Sequence, residues 1–325
     1  MRVFRGFNHP GLAPACALTI GNFDGVHRGH QAMLALLSSE ARHRGLARCV
    51  LSFEPHPRDF FARRSGQPQQ APSRIATLRD RLSELERCGV DQVVLLRFDE
   101  RLASLSPQDF IAQVLVQGLH ARYVLVGDDF RFGARRAGDY AMLDAAGEAQ
   151  GFDVARMLSY EVHGLRVSSS AVREALAAGD MVRATALLGR PYAISGHVVH
   201  GRKLGRSLGF RTLNLRFAHP RPAAMGIYVV WLHGLADRPL PGVASLGVRP
   251  TVEDAGRVLL EVHCLDWPAH LGAEAGYGRV LQADLVHKLH DERRYPSLEA
   301  LQAGIAQDTA DARAWLAAHP RRGGT

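Results

Sequence analysis

Apolar and polar positions follow two rhythms along the chain, and the change between them falls near residue 190. Before it, short β-rich apolar runs alternate with longer stretches of helical spacing. The runs are CALTI (16–20), ARCVLSF (47–53), DQVVLLRF (91–98), ARYVLVG (121–127) and FDVARML (152–158). Helical stretches between them include GHQAMLALLSSEARHRG (29–45), TLRDRLSELERCG (77–89) and SPQDFIAQVLVQG (106–118), the last with Ser106 as N-cap and Pro107 at the first helical position. Apolar runs joined by helices need crossover connections, so the pattern predicts an α/β unit with a mostly parallel sheet covered on both faces. Ligands of such sheets bind beyond the carboxyl ends of the strands.

After GRPY (189–192) the rhythm shortens. ISGHVVH, TLNLRF, GIYVVWLHG, GVASLGV, VLLEVHCLD and RVLQADLVHKLH are strand-like and separated by Gly, Pro and Asp turns. That spacing predicts a small antiparallel β-barrel or sandwich. One helix follows Ser297 as cap, and Leu298, Leu301, Ile305, Ala312 and Trp315 are expected to form its packing face. The expected division is residues 1–186, residues 187–318 and a flexible tail at 319–325.

Composition adds bounds rather than identity. Apolar residues are 46% and charged residues 22% of the 325, an ordinary globular balance. The formal charge is +8 (40 basic, 32 acidic), but the arginines are scattered, with no like-charge block and no interleaved aromatics. The nucleic-acid reading is therefore weak, and a partner or substrate with phosphates explains the excess equally well. Cys16, Cys49, Cys88 and Cys264 lie far apart, which argues against a disulfide framework or zinc site and fits a reducing cytoplasm. No run of about 18 apolar residues marks a membrane span, and the N-terminal residues lack a signal peptide's apolar stretch.

The first chemically suggestive stretch is GNFDGVHRGH (21–30), a Gly-rich turn between the strand CALTI and the next helix. Glycines let backbone approach a ligand closely, and the helix N-terminus offers unpaired N–H groups. His27 and His30, three apart, point the same way from the first turn. Half of a metal site and two exposed polar side chains are the alternatives, although no HExxH accompanies the pair. Two more strand ends add donors: GDDFRFG (127–133), with Asp129 and Phe130, and RVSSS (166–170), with Arg166, Ser169 and Ser170 at another helix start. One of those serines could simply cap the helix.

The second stretch lies in the barrel. GRKLGRSLG (201–209) is glycine-rich and basic, either a phosphate cradle or a long basic hairpin, and Thr212 and Asn214 follow it. Thr212 offers a hydroxyl suited to Mg²⁺.

Taken in order and spacing, GNFDGVHRGH, FEPHP (53–57), GDDFRFG and RVSSS resemble the nucleotidyltransferase module of the bacterial bifunctional riboflavin kinase/FAD synthetase family. His27-Arg28-Gly29-His30 matches its HxGH element, and Ser170 stands where its Thr is expected. The second half resembles the family's riboflavin kinase barrel through GRPY, the glycine-rich loop, GIYVV, GVASLGVRPT, LLEVHCLD and DERRYPSLEAL leading to QDTADAR. Thr212 and Asn214 fall on its Pro-Thr-Ala-Asn element, with Arg211 replacing Pro and Leu213 replacing Ala.

The resemblance implies a Rossmann-like nucleotidyltransferase domain followed by a riboflavin kinase-like barrel closed by a helix. It implies phosphorylation of riboflavin to FMN and adenylyl transfer from ATP to FMN, giving FAD and pyrophosphate, with Mg²⁺. His27 and His30 become catalytic, and Gly21, Asn22, Phe23, Asp24, Gly25, Gly29, Arg166, Ser169 and Ser170 bind the ATP of that step. Asp129 and Phe130 contact its flavin. In the barrel, Gly201, Lys203, Gly205, Gly209, Thr212 and Asn214 bind ATP, Thr212 holds the metal, and Glu292 is the base for the ribityl hydroxyl. The alternatives are an FMN adenylyltransferase whose barrel binds flavin without phosphorylating it, and a regulator that kept the folds alone.

Overall fold

A computed structural model describes residues 1–162, 164–200, 210, 212–219, 221–248, 258–272 and 274–321. The chain separates into two compact units, Met1–Pro72 with Arg81–Ser168, and Ser73–Asp80 with Ser169–Thr325.

The first unit is built on a six-stranded sheet: β1 (Arg2–Arg5), β2 (Cys16–Ile20), β3 (Ala47–Glu54), β4 (Gln92–Arg97), β5 (Ala121–Gly127) and β6 (Asp153–Met157). The spatial order is β1-β4-β3-β2-β5-β6, and every pairing is parallel. Five of these strands follow the apolar runs of the sequence. The sixth, β1, is an addition: a four-residue edge strand, RVFR, too short and too charged to register as a strand by pattern. All five residues of β2 are buried, as a central strand covered on both faces requires.

From β2 the chain goes to β3 and β4 on one side and returns to β5 on the other, so the order in which strands are added reverses between β2 and β5. This is the crevice where doubly wound sheets bind ligands. Helix α1 (Arg28–Arg44) leaves the end of β2 and stops at Gly45, whose φ of 64° is left-handed. Helices α2 (Pro57–Arg64) and α3 (Leu78–Arg87) follow β3. Ser106 caps the next segment as expected, but only Pro107–Asp109 is α-helical. Phe110–Gly118 is wound wider, with Leu119 N–H donating to Val114 C=O five residues back. A methyl group at Gly118 would lie 2.9 Å from the Gln113 carbonyl, so the wide turn is closed by a residue without a side chain.

In the second unit, Ser169–Ala178 and Met181–Leu188 are helices that precede the barrel. The barrel strands, numbered after the hairpin β7 (Glu161–Val162) and β8 (Leu165–Arg166), are β9 (Tyr192–Val199), β10 (Thr212–Phe217), β11 (Gly226–His233), β12 (Leu240–Val248), β13 (Val258–Cys264) and β14 (Val280–His290). They close in the order β10-β13-β12-β11-β14-β9, antiparallel throughout. Inward residues alternate with outward ones: Leu213, Leu215 and Phe217 on β10, Ala244 and Leu246 on β12, and Leu260 and Val262 on β13 are buried.

The closing helix Leu298–Ala318 starts at its Ser297 cap. It packs Ala312, Trp315 and Leu316 against Val229, Val243 and Val286. Leu298 departs from the expected packing stripe. As the first helical residue it is 54% exposed, and the buried face instead includes an acid, Asp308. Of the expected tail, residues 322–325 lie outside the described residues.

Candidate active sites

The turn after β2 sits at the reversal point of the sheet, and its backbone is forced. Phe23, Gly25 and Val26 have φ of 50°, 82° and 40°. A left-handed conformation costs a β-branched residue of order 1–3 kcal/mol, which only a surrounding structure that over-determines it sustains. Phe23, Asp24, Gly25 and Val26 are all buried. A further clamp comes from α3: buried Arg81 donates from one guanidinium nitrogen to the Asn22 carbonyl at 3.0 Å and from another to Glu54 Oε2 at 2.9 Å. The Ser52 hydroxyl reaches the same carbonyl at 3.5 Å. The ends of β2 and β3 are thereby fixed together.

His27 is the N-cap of α1. Its Nδ1 accepts the His30 backbone N–H at 3.3 Å, which in the neutral ring makes Nε2 the N–H donor. The His27 and His30 rings stack at 3.7 Å with 14° between planes, and Phe23 tilts against His30 at 4.8 Å. Gly29 makes room for this: a methyl group there would stand 3.2 Å from His27 Nδ1 and 3.5 Å from the Val167 carbonyl. Gly21 likewise lies under the Phe23 ring, 3.1 Å from an added methyl. The result is two parallel imidazoles on a helix N-terminus, a geometry that presents hydrogen-bond donors to an anion.

At the end of β5, across the crevice, Asp128 and Asp129 are exposed, and the Ser159 hydroxyl donates to Asp128 at 2.8 Å. Phe130 is half-buried and stacks on Phe132 at 5.4 Å, which in turn packs on Phe110. Arg166 is exposed at the end of the hairpin strand β8, opposite Glu161. Ser169 and Ser170 open the helix Ser169–Ala178, which groups with the second unit.

In the barrel, Gly201, Lys203, Gly205 and Gly209 lie outside the described residues, as do Arg202, Arg206 and Arg211. Thr212 and Asn214 open β10 and face outward, since Leu213 and Leu215 between and beside them are the inward residues. Asn214 is the register partner of Glu261 on β13, and Glu261 is the register partner of Ser245 on β12. Thr212 pairs in the same way with His263. One outward row thus runs Asn214, Glu261, Ser245 over about 10 Å, two strand spacings.

Glu292 joins this row from beyond the end of β14. Its Oε1 accepts the Ser245 hydroxyl at 3.2 Å, and its carboxylate lies directly over Gly247. Partial desolvation, helped by the charge of Glu261, raises the Glu292 carboxyl above the usual glutamate range, against the opposing hydrogen bond from Ser245. Glu261, Ser245 and Gly247 did not figure in the sequence reading. A trace was present in VLLEVHCLD, where Glu261 and His263 occupy alternate positions of an otherwise apolar strand.

Two family models match the chain. Residues 10–171 match the family model described as FAD synthetase, and residues 188–316 match that described as riboflavin kinase. The chain is 46% identical over 315 residues to a bifunctional riboflavin kinase/FMN adenylyltransferase of Escherichia coli strain K12, covering 96% of this chain and 97% of that one. It is 45% identical over 325 residues to the protein of the same name in Pseudomonas fluorescens, covering 99% and 100%. Among solved structures, one described as a macrolide-efflux protein from Streptococcus pneumoniae superposes with a TM-score of 0.76 at 26% identity, covering 96% of this chain and 98% of the other. Among the described residues here, no helix is long and apolar enough to cross a membrane.

Proposed function

The chain belongs to the bifunctional riboflavin kinase/FMN adenylyltransferase family, and from that premise we propose how its halves divide the work and which residues perform it. The chain converts riboflavin and ATP to FMN, and FMN and a second ATP to FAD and pyrophosphate. Residues 187–318 perform the first step and residues 1–186 the second. The observation that carries the assignment is the stacked His27–His30 pair on the α1 N-terminus, at the reversal point of the parallel sheet.

In adenylyl transfer an FMN phosphate oxygen attacks the α-phosphorus of ATP and pyrophosphate leaves. Such transfers rest on positioning and charge stabilisation rather than an enzyme nucleophile. Nε2–H of His27 and the ring of His30 donate to the phosphoryl oxygens. The turn Gly21–Gly25 with Gly29 lets the backbone reach the triphosphate, while Arg166, Ser169 and Ser170 contribute further phosphate contacts. Asp129 and Phe130 face the flavin side of the crevice.

In the kinase half, the ribityl hydroxyl of riboflavin attacks the γ-phosphorus of a second ATP and ADP leaves. Thr212 would hold Mg²⁺ through a neutral oxygen, the hard donor that ion takes, with Asn214 beside it on the ATP. When bound, the ion offsets negative charge on the phosphates. Glu292 takes the hydroxyl proton. A second assignment is favoured by one observation: Glu261 is the direct cross-strand neighbour of Asn214, so it is the carboxylate nearer the Thr212–Asn214 pair. The cytoplasm is the setting that fits four free thiols.

The test supplies riboflavin, ATP and Mg²⁺ and resolves products by chromatography over time. FMN followed by FAD is expected. His30→Ala is expected to stop FAD formation while FMN still accumulates, and Glu292→Gln to stop FMN formation while added FMN is still converted. If Glu261→Gln loses FMN formation and Glu292→Gln keeps it, the base is Glu261.

A further inference from the structure

Helix α3, which carries Arg81, has its first turn fixed from outside the helix. Ser73–Asp80 groups with the second unit, and Arg81 is the first residue of α3 that groups with the first. The segment leading into the helix is tied at both ends. At its start Arg74 N–H donates to the Arg221 carbonyl at 2.7 Å, and the Arg74 carbonyl accepts Ala223 N–H at 2.8 Å. Arg173 Nε donates to the Ser73 carbonyl at 2.6 Å. At its other end the Asp80 carboxylate is engaged on both oxygens. Oδ1 accepts the backbone N–H of Ser195 on β9 at 3.1 Å, and the Ser195 hydroxyl as well. Oδ2 accepts the Thr77 hydroxyl at 2.7 Å, while Thr77 Oγ1 accepts Asp80 N–H at 3.1 Å, a reciprocal pairing of the kind that caps a helix.

We propose that Asp80 is a positioning residue for adenylyl transfer: held by Thr77 and by Ser195, it fixes the first turn of α3 and with it the point from which Arg81 reaches the Asn22 carbonyl and Glu54. Arg81 is 3% exposed and meets those two acceptors with separate nitrogens, at 3.0 Å and 2.9 Å. Two such bonds made at once leave little room for movement of the backbone that carries them. The Asn22 carbonyl belongs to the turn that leads into His27, so a displaced Arg81 loosens that turn where the triphosphate of ATP is held. Burial raises the Asp80 carboxyl above the usual aspartate range, against the hydrogen bonds from Ser195 and Thr77. What the network requires of Asp80 is therefore its acceptors and shape more than its charge.

The inference rests on the reading of the Gly21–Gly25 turn as the ATP site of the adenylyl step, and a double-mutant cycle separates the two. In the full-length chain, the ATP KM of FAD formation from added FMN is measured for wild type, Asp80→Ala, Asp80→Asn, Arg81→Lys and the double variant of Asp80→Ala with Arg81→Lys. The ATP KM of FMN formation from riboflavin is the internal control. Asp80→Ala is expected to raise the first KM about tenfold, and Asp80→Asn, which keeps an acceptor and the shape, about twofold at most. The double variant is expected to be no worse than the poorer single one, because both changes break the same hold. A wild-type KM in Asp80→Ala beside a raised one in Arg81→Lys overturns the proposal. So do effects that multiply in the double variant, or an equal rise in the control KM. If Asp80→Ala does not fold, Ser195→Ala, which lacks the hydroxyl alone, takes its place in the cycle with an expected rise of about threefold and the same refutations. An unchanged KM in Arg81→Lys overturns instead the site on which the inference rests.

Discussion

Gly247→Ala isolates the position of Glu292 from its chemistry. The added methyl would fall 2.5 Å from Glu292 Oε2 and closer to its other oxygen, against 3.4 Å for ordinary contact, so the carboxylate recedes by about 1 Å at least. What must move is the end of a flexible, exposed side chain rather than backbone, so the folded state loses little. A reacting group displaced by about 1 Å costs up to about 100-fold in rate. FMN formation is therefore expected to fall by one to two orders of magnitude at unchanged thermal midpoint, with FAD formation from added FMN intact. The pH profile carries a second signature. A base acts ionised, and partial desolvation holds Glu292 above the usual glutamate range, so the wild-type rate rises at higher pH than an ordinary glutamate would give. Pushing the carboxylate into water removes that desolvation, and the rising limb moves to lower pH. Full FMN formation in Gly247→Ala, with the limb in place, would refute Glu292 as the base and leave the role to Glu261.

Two further outcomes probe the first half. Gly29→Ala brings a methyl to 3.2 Å from His27 Nδ1; FAD formation is expected to fall about tenfold by chromatographic assay while helix stability holds or rises, since alanine exceeds glycine in helix propensity by about 1 kcal/mol. Arg81→Lys keeps the charge but loses the two-pronged hold on Asn22 and Glu54; a raised KM for ATP in the adenylyl step, with kinase KM unchanged, is the expected result, and unchanged ATP dependence would sink it.

What could be read from sequence was what is local in it. The apolar runs located five parallel strands and six barrel strands because burial on one or two faces imposes its period on neighbouring residues. The His27–His30 turn was legible for the same reason, its glycines and histidines being contiguous. Edge strand Arg2–Arg5 escaped because it is short and half-charged. Arg81 escaped because it lies in an ordinary amphipathic helix, and its role depends on a carbonyl 59 residues away. Glu261, Ser245 and Gly247 become a site only through register across three strands. Asp308 is one acid among several in a helix, and its burial follows from which turn meets the barrel.

The outward row on the barrel has a consequence for how this chain can vary. Along β10 and β13, positions that fill the interior and positions that carry chemistry alternate one by one: Leu213 against Asn214, Val262 against Glu261. Folding and turnover therefore constrain interleaved letters of the same words, and a substitution's symptom should be readable from whether its position is odd or even. An insertion of a single residue within either strand would exchange the two sets at once, putting a carboxylate into the core and a leucine into the site. These strands can drift by substitution but not by length.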